Sequence, residues 1–243
     1  MKRYLLTAAL AAIVLGAAAQ MPKYLDPNAP VEERVKDALS RMTTHEKVSI
    51  LHAHGKFWSG GVPRLGIKGL WHSDGPHGAR AEVDWNSWNN ANWTSDSCGA
   101  CPSLTCLAAT WNPALARLYG ENVAEEFAYR DKNILLGPGV NIMRTPLNGR
   151  NFEYMGEDPL LAGTMAVPYI QGAQSRGVAC CLKHFAFNNQ ETDRMDVNVI
   201  VSERAAHEIY LPAFKRAVQE SGLWTIMGAY NRWLGTHCCT NDS

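Results

Sequence analysis

Short apolar runs along the chain end in polar, glycine-rich loops and alternate with longer stretches of helical periodicity. Val31 to Arg41 is helical in composition, and Thr43-x-x-Glu46 forms a capping box that opens a second helix through about Leu51. Gly60-Gly61-Val62-Pro63 breaks that pattern, and Ile67 to Trp71 then makes a short apolar run ending in Ser73-Asp74-Gly75-Pro76-His77-Gly78-Ala79-Arg80. Glu82 to Cys106 reads as one long loop with Trp85, Trp88 and Trp93 spread along it; such loops in compact domains commonly serve as walls or lids. Asn112-Pro113 caps a helix, and the spacing of Leu115, Leu118, Tyr119, Val123 and Phe127 predicts its buried face. A strand over 133–136 follows. Asp158-Pro159 starts a helix that reaches about Arg176, stops at Gly177 and is expected to kink or divide at Pro168. Val178 to Leu182 is the next strand and ends in Lys183-His184. Ser202 opens another helical pattern with Ala206, Ile209, Tyr210, Ala213, Phe214, Ala217 and Val218 on one face, split at Pro212 and ended by Gly222. A last apolar run, Leu223 to Met227, leads into Gly228-Ala229-Tyr230-Asn231.

Strand, polar loop and helix thus recur, which predicts an α/β fold with a parallel sheet and right-handed crossovers. No Gly-x-Gly-x-x-Gly fingerprint follows any strand, so a (β/α)8 TIM-barrel-like domain fits better than an open nucleotide-binding sheet. In a barrel the strand ends converge. Asp74, then Arg144 and Arg150, then Lys183 and His184, then Tyr230 are therefore expected in one pocket. A carboxylate acceptor, several fixed donors and an aromatic wall suit a sugar, whose hydroxyls both donate and accept; a phosphate would want donors mainly and would be repelled by Asp74. Arg150 also has Glu153 and Glu157 within reach for a structural ion pair, and His184 reads either as a site residue or as a buried core histidine. A charged lysine at the mouth of a buried strand, as Lys183 is, usually has a reason to be there.

Composition narrows the classes. The 243 residues are 46% hydrophobic and 19% charged, enough for one large domain or two small ones. Lys plus Arg and Asp plus Glu both number 23, and no basic run exceeds two residues, which argues against a nucleic-acid partner. Lys2-Arg3, the apolar segment Tyr4 to Leu15 and the small residues Gly16 to Ala19 read as a signal peptide over residues 1–19, cleaved after Ala19. That segment is too short to span a bilayer, and no Cys follows it to carry a lipid anchor. The mature protein, residues 20–243, is expected to be periplasmic or secreted, with no membrane partner after cleavage. Seven Cys fit an oxidising compartment. Cys98-x-x-Cys101 lacks a second pair at zinc spacing, so a loop disulfide or buried thiols are expected there rather than metal. Of the adjacent Cys180 and Cys181, alternation puts one toward the core. No nucleophile elbow supports Ser/His/Asp catalysis, and no cofactor motif stands out.

Several of these stretches resemble glycoside hydrolase family 3, the β-glucosidases and β-xylosidases. Ser73 to Arg80 is similar to that family's first sugar-binding motif, and Gly137 to Asp158 to its long central motif. Lys183-His184-Phe185 with Asn188-Asn189-Gln190-Glu191, and Met227 to Asn231, resemble two more, so the likeness runs from about Val31 to Asn241. The resemblance implies a retaining β-glycosidase acting on a β-linked glucoside or short oligosaccharide, with a β-xylosidase or a non-catalytic sugar-binding remnant as alternatives. It implies Asp74 as acceptor for hydroxyls on the far side of the sugar, Arg150, Lys183 and His184 as donors, Arg194 beside the hydroxyl next to the reacting carbon, and Met227 and Tyr230 lining the pocket. The N-acetylglucosaminidase branch fits less well, since Ala186-Phe187-Asn188-Asn189 replaces its Gly-His-Gly loop. Retaining hydrolysis needs two carboxyl groups about 5 Å apart. In the family the nucleophilic Asp follows a strand later than the Tyr-Asn motif, and the acid/base comes from a later domain. The resemblance therefore implies an N-terminal part without its catalytic pair. Its barrel would lack the last strands and leave open edges. The 243 residues are expected to fold poorly alone and to turn over nothing.

Overall fold

The computed structural model describes residues 21–94 and 97–242. The expected signal peptide lies outside them. Among the described residues no helix is long and apolar enough to cross a membrane. The described residues divide into two compact units, 21–52 with 60–68, and 53–59 with the described residues from 69 on.

The first unit holds α1 (Val31–Arg41) and α2 (Thr44–Ser49). The capping box ahead of α2 is formed: Glu46 N–H donates to Thr43 Oγ1 at 3.2 Å, and Thr43 N–H donates to the Glu46 carboxylate at 2.8 Å. The same carboxylate takes Arg64 at 2.8 Å, which ties the short turn Pro63–Leu65 to the start of the helix.

The second unit is built on a five-stranded sheet. Its strands are β1 (Trp58–Ser59), β2 (Leu70–Asp74), β3 (Ile134–Leu136), β4 (Ala179–Phe185) and β6 (Thr225–Gly228), in that spatial order. β1 runs antiparallel to β2, and the other neighbours are parallel. Helices α3 (Leu104–Ala109), α4 (Pro113–Tyr129), α5 (Pro159–Gln174) and α6 (Pro212–Glu220) lie between strands in sequence. A smaller sheet joins β5 (Asn198–Val199), β7 (Arg232–Trp233) and β8 (Thr236–His237). The recurring strand–helix pattern thus yields the expected parallel α/β fold.

Register decides what each face of the large sheet carries. Asp74 pairs with Leu136, Ile134 with Ala179 and Cys181 with Thr225, so alternation puts His72 and Asp74, Ile134 and Leu136, Ala179 and Cys181, and Thr225 and Met227 on one face. That face forms a small apolar cluster of Ile134, Leu136, Ala179 and Cys181, with Phe57 and Met227 against it. The opposite face supplies Leu135, Cys180 and Leu182 to the main core, where they meet α3, α4, α5 and α6 through residues such as Leu104, Phe127, Met165, Ile170 and Phe214. Both Cys180 and Cys181 are consequently buried, one on each face, because this strand is covered on both sides. Burial pushes both thiols up. All seven cysteines are free thiols, so of the loop disulfide or buried thiols expected around Cys98 and Cys101 the disulfide is not formed, and both residues are half-buried.

Four sequence expectations are corrected by the structure. On α4 the buried side chains are Ala116, Tyr119, Val123, Ala124 and Phe127, while Leu115 and Leu118 face outward. The cause is the close crossing of α4 and α5. A Cβ on Gly120 would lie 2.1 Å from the Tyr169 carbonyl, and one on Gly172 would lie 2.1 Å from the Arg117 carbonyl. Small residues select the contact face, and the leucines rotate away from it. On α6 the same preference buries Ala213, Phe214 and Ala217 and leaves Val218 exposed. α5 continues unbroken through Pro168. The cost of an interior proline, about 3 kcal/mol, is outweighed there by a helix buried from Leu161 to Ala173 on several sides. The Trp-rich loop is also shorter than expected, since α3 starts at Leu104 with Ser103 Oγ capping Cys106 N–H at 3.3 Å.

Gly172→Ala tests the helix crossing. On helix propensity alone it would stabilise by about 0.5–1 kcal/mol; with a Cβ driven into the Arg117 carbonyl it should instead destabilise by about 1–3 kcal/mol. Urea unfolding reads the sign directly, and a stabilised variant would refute the close crossing.

Candidate functional site

The carboxyl ends of β2, β3, β4 and β6 open onto one cavity of about 290 Å³. Its lining comprises Phe57, Asp74, Arg80, Trp88, Leu136, Arg150, Lys183, His184, Arg194, Met227 and Tyr230. All seven residues named from the sequence as sugar contacts are in that set. Arg144 is not: it lies over the Tyr210 ring, 5.9 Å from the centroid, and lines a second cavity with Phe187, Asn189 and Val199. The loop after β3 carries Arg144 and Arg150 to different places, which strand-end counting does not resolve.

Asp74 ends β2, and the chain turns sharply after it. Gly75 has φ +138°, and a Cβ there would sit 1.9 Å from the Gly78 carbonyl, so the turn requires glycine. The turn brings Arg80 back, its N–H donating to the Asp74 carbonyl at 3.1 Å and its guanidinium to Asp74 Oδ2 at 2.9 Å. Both side chains are well exposed, so the pair adds little stability. Asp74 Oδ1 takes no hydrogen bond from the described residues.

The cationic side of the cavity is organised by two carboxylates. Lys183, with its side chain 3% exposed, donates to Glu153 Oε2 at 2.8 Å. Arg150 Nε donates to the other oxygen of Glu153. Arg150 also reaches Glu191 at 3.8 Å, and Glu191 in turn accepts from Arg194 at 2.8 Å. The result is a ladder of alternating charge, Lys183–Glu153–Arg150–Glu191–Arg194. Burial pushes the Glu153 carboxyl up, but Lys183 and Arg150 outweigh it and hold the group below the usual range. Neither Glu153 nor Glu191 was singled out as a site residue in the sequence, although Arg150–Glu153 and Glu191–Arg194 both have the i,i+3 spacing of a local ion pair. Glu157, the other partner weighed for Arg150, makes no pair with it.

His184 is both a buried histidine and a cavity residue, 4% exposed on β4. Its backbone N–H donates to Asn141 Oδ1 at 2.8 Å, and its carbonyl accepts from Asn141 Nδ2 at 3.0 Å, which fixes the strand end. Nδ1 faces the Tyr154 hydroxyl at 3.1 Å. The Tyr154 hydroxyl has two acceptors in reach, His184 Nδ1 and, farther off at 3.4 Å, the Asn188 carbonyl; Asn188 Nδ2 lies 3.0 Å from the Tyr154 oxygen and 3.5 Å from Nδ1. With two donors facing Nδ1, the tautomer assigned to the ring carries its proton on Nε2. Burial, then Lys183, Arg150 and Arg194, bring the His184 pKa down to about 2, and the ring stays neutral. Met227 and Tyr230 close the β6 side, with the Arg194 guanidinium 5.6 Å from the Tyr230 ring centroid. Among the described residues no cluster of three or more His, Cys, Asp or Glu could hold a metal ion. The cavity thus offers one free carboxylate oxygen, a row of fixed cations, a neutral imidazole N–H and aromatic walls, a mixture suited to an uncharged, polyhydroxylated ring.

The buried, neutral His184 has a consequence for pH. Its unfolded value is near 6.5 and its folded value far lower, so the unfolded chain alone takes up the proton as pH falls below 6.5. Stability should drop from that point, with a slope from this group of up to about 1.4 kcal/mol per pH unit. Glu153 adds a second loss nearer pH 4, because stability held by a depressed carboxylate disappears as pH falls through its folded value. Urea midpoints from pH 7.5 to 5 for the native chain and His184→Gln check this; an equal slope in both chains would contradict the buried neutral imidazole.

Known proteins resemble this chain over most of its length. The glycosyl hydrolase family 3 N-terminal domain matches residues 89–243. A β-glucosidase of Bacteroides ovatus is 59% identical over 243 residues, covering 98% of this chain and 32% of that protein. An exo-α-(1→6)-L-arabinopyranosidase of Bifidobacterium breve is 41% identical over 211 residues, covering 87% of this chain and 28% of that one. Among solved structures, the β-glucosidase 3B of Thermotoga neapolitana in complex with α-D-glucose superposes with TM-score 0.78 at 40% identity, covering 86% of this chain and 31% of that one. The chain spans about a third of the length of these relatives. It belongs to glycoside hydrolase family 3, and residues 89–243 are its match to the N-terminal domain of that family.

Proposed function

We propose that this chain supplies the sugar-binding part of subsite −1 in an exported, retaining β-glycosidase that removes terminal β-D-glucosyl residues. The observation that carries the reading is the single cavity in which Asp74, Arg150, Lys183, His184, Arg194, Met227 and Tyr230 meet. On this reading Asp74 Oδ1 accepts from the hydroxyls remote from the reacting carbon. Lys183, Arg150 and the Nε2–H of His184 donate to the next hydroxyls, Arg194 supports the hydroxyl beside the reacting carbon, and Met227 and Tyr230 wall that end. The parallel sheet would be the first part of a (β/α)8 barrel, whose next strand would pair with the open edge of β6.

The chemistry of hydrolysis is assigned elsewhere. Two carboxyl groups about 5 Å apart are required, and the cavity's lining holds Asp74 as its one carboxylate, paired with Arg80. Glu153 is committed to Lys183 and Arg150. The nucleophile and the acid/base are therefore proposed to come from sequence beyond residue 243 in the parent protein. β-Glucosidases among the relatives, and glucose in a solved neighbour, support a glucoside. A second reading, a pentopyranoside as in a β-xylosidase, draws on the relative named for L-arabinopyranosides.

A thermal-shift titration with D-glucose tests the proposal. At ten times Kd the sugar should stabilise the 243-residue chain by about 1.4 kcal/mol, and Asp74→Ala should abolish the shift. Hydrolysis of an aryl β-glucoside should stay at background. Turnover well above background would contradict the placement of the catalytic pair, and no shift at saturating glucose, in a chain that melts cooperatively, would contradict the sugar site itself.

A further inference from the structure

The cavity has one wall that the roles above leave unused. Trp88 sits on the excursion between Val83 and Asn90, whose ends are joined by an antiparallel bridge and by Asp84 N–H donating to the Asn89 carbonyl at 3.0 Å. The loop's other two tryptophans are anchors. Trp85 and Trp93 pack against each other at 4.7 Å with their rings tilted by 44°, and they meet Trp71 at 5.3 and 5.8 Å. Its root is held by buried charge, with Glu82 paired to Arg130 at 2.9 Å and Thr94 donating to Glu82 at 3.0 Å. Trp88 joins neither group. It is 60% exposed, yet its ring is fixed: edge-to-face on Phe57 at 5.7 Å, with Lys56 4.8 Å and Arg80 5.9 Å from its centroid. An exposed indole held by three neighbours beside a cavity is a preorganised contact surface with no core to serve.

Its position along the cavity gives the contact a chemical identity. The sheet order places Phe57, Asp74, Arg80 and Trp88 at the β1–β2 end, and Met227, Tyr230 and Arg194 at the β6 end. Resting on the proposed function, the β6 end faces the reacting carbon and Asp74 holds the hydroxyls opposite. In a hexopyranose the group next to those hydroxyls is the exocyclic hydroxymethyl; a pentopyranose has only hydrogen there. We propose that Trp88, backed by Phe57, is the specificity-determining residue that packs on this exocyclic carbon and makes the cavity select hexopyranoses over pentopyranoses. Covering one methylene is worth roughly a fourfold change in affinity.

D-glucose and D-xylose differ only in that group, so the pair isolates it. Saturation-transfer NMR titrations of the 243-residue chain should give glucose at least about fourfold tighter than xylose. Trp88→Ala should weaken glucose about fourfold, leave xylose within twofold and bring the ratio near one; Trp88→Phe should keep part of the preference. An unchanged ratio in Trp88→Ala, or equal weakening of both sugars, would overturn the inference while leaving the sugar site intact. A native chain that melts cooperatively yet binds neither sugar would instead overturn the sugar-site reading, and this inference with it.

Discussion

The pair between Glu153 and Lys183 is the contact on which the cavity depends. Lys183 lies at the end of a strand that is buried on both faces, with its ammonium almost out of water. An ion in that position costs several kcal/mol unless it is matched. Glu153 matches it from the loop that follows β3, and its second oxygen holds Arg150. One carboxylate therefore locks a strand end to a loop and sets two cations at fixed places in the cavity. Glu191 repeats the device with Arg150 and Arg194. Each cation has a carboxylate beside it, so the row persists without strong self-repulsion, and Asp74 faces it from β2.

The sheet makes this arrangement possible by dividing its residues. Period-2 alternation sends Leu135, Cys180 and Leu182 into the helical core and keeps Asp74, Leu136 and Met227 on the other face, where the cavity lies. Core and site thus share the same strands without competing for the same positions. The close crossing of α4 and α5 at Gly120 and Gly172 lets the helical layer seat tightly under that sheet. Asn141 pins the His184 backbone on both sides, and Tyr154 with Asn188 sets its tautomer. Rigid placement of donors is what a polyhydroxylated ligand asks of a site.

Much of this was legible in the chain. The helix caps at Thr43, Asn112 and Asp158 and the strand ends at Asp74, Lys183 and Tyr230 follow from local rules, and local rules held there. Where three-dimensional packing decides, sequence reasoning fell short. Periodicity offered Leu115, Leu118 and Val218 as buried, but glycine and alanine define the contact faces because backbones meet there. Arg144 stood at the right strand end yet turns to Tyr210, since a long loop scatters neighbouring residues. Glu153 was read from the sequence only as a partner for Arg150, a pair the structure forms, while its pairing with Lys183 and the part played by Glu191 were hidden, because a carboxylate's importance lies in what it faces and Lys183 is thirty residues from Glu153 in sequence. Their i,i+3 arginines were the one local trace.

A double-mutant cycle on Glu153 and Lys183 addresses the central point. Unfolding free energies would be compared for the native chain, Glu153→Gln, Lys183→Met and the double variant. Breaking a buried pair on one side leaves an uncompensated charge and should cost about 3–5 kcal/mol. Removing both groups should cost less than the sum of the single losses by at least about 2 kcal/mol. Single losses that simply add, or losses within 0.5 kcal/mol of zero on the scale of ordinary surface changes, as a rough bound, would show that the pair does not hold the cavity together.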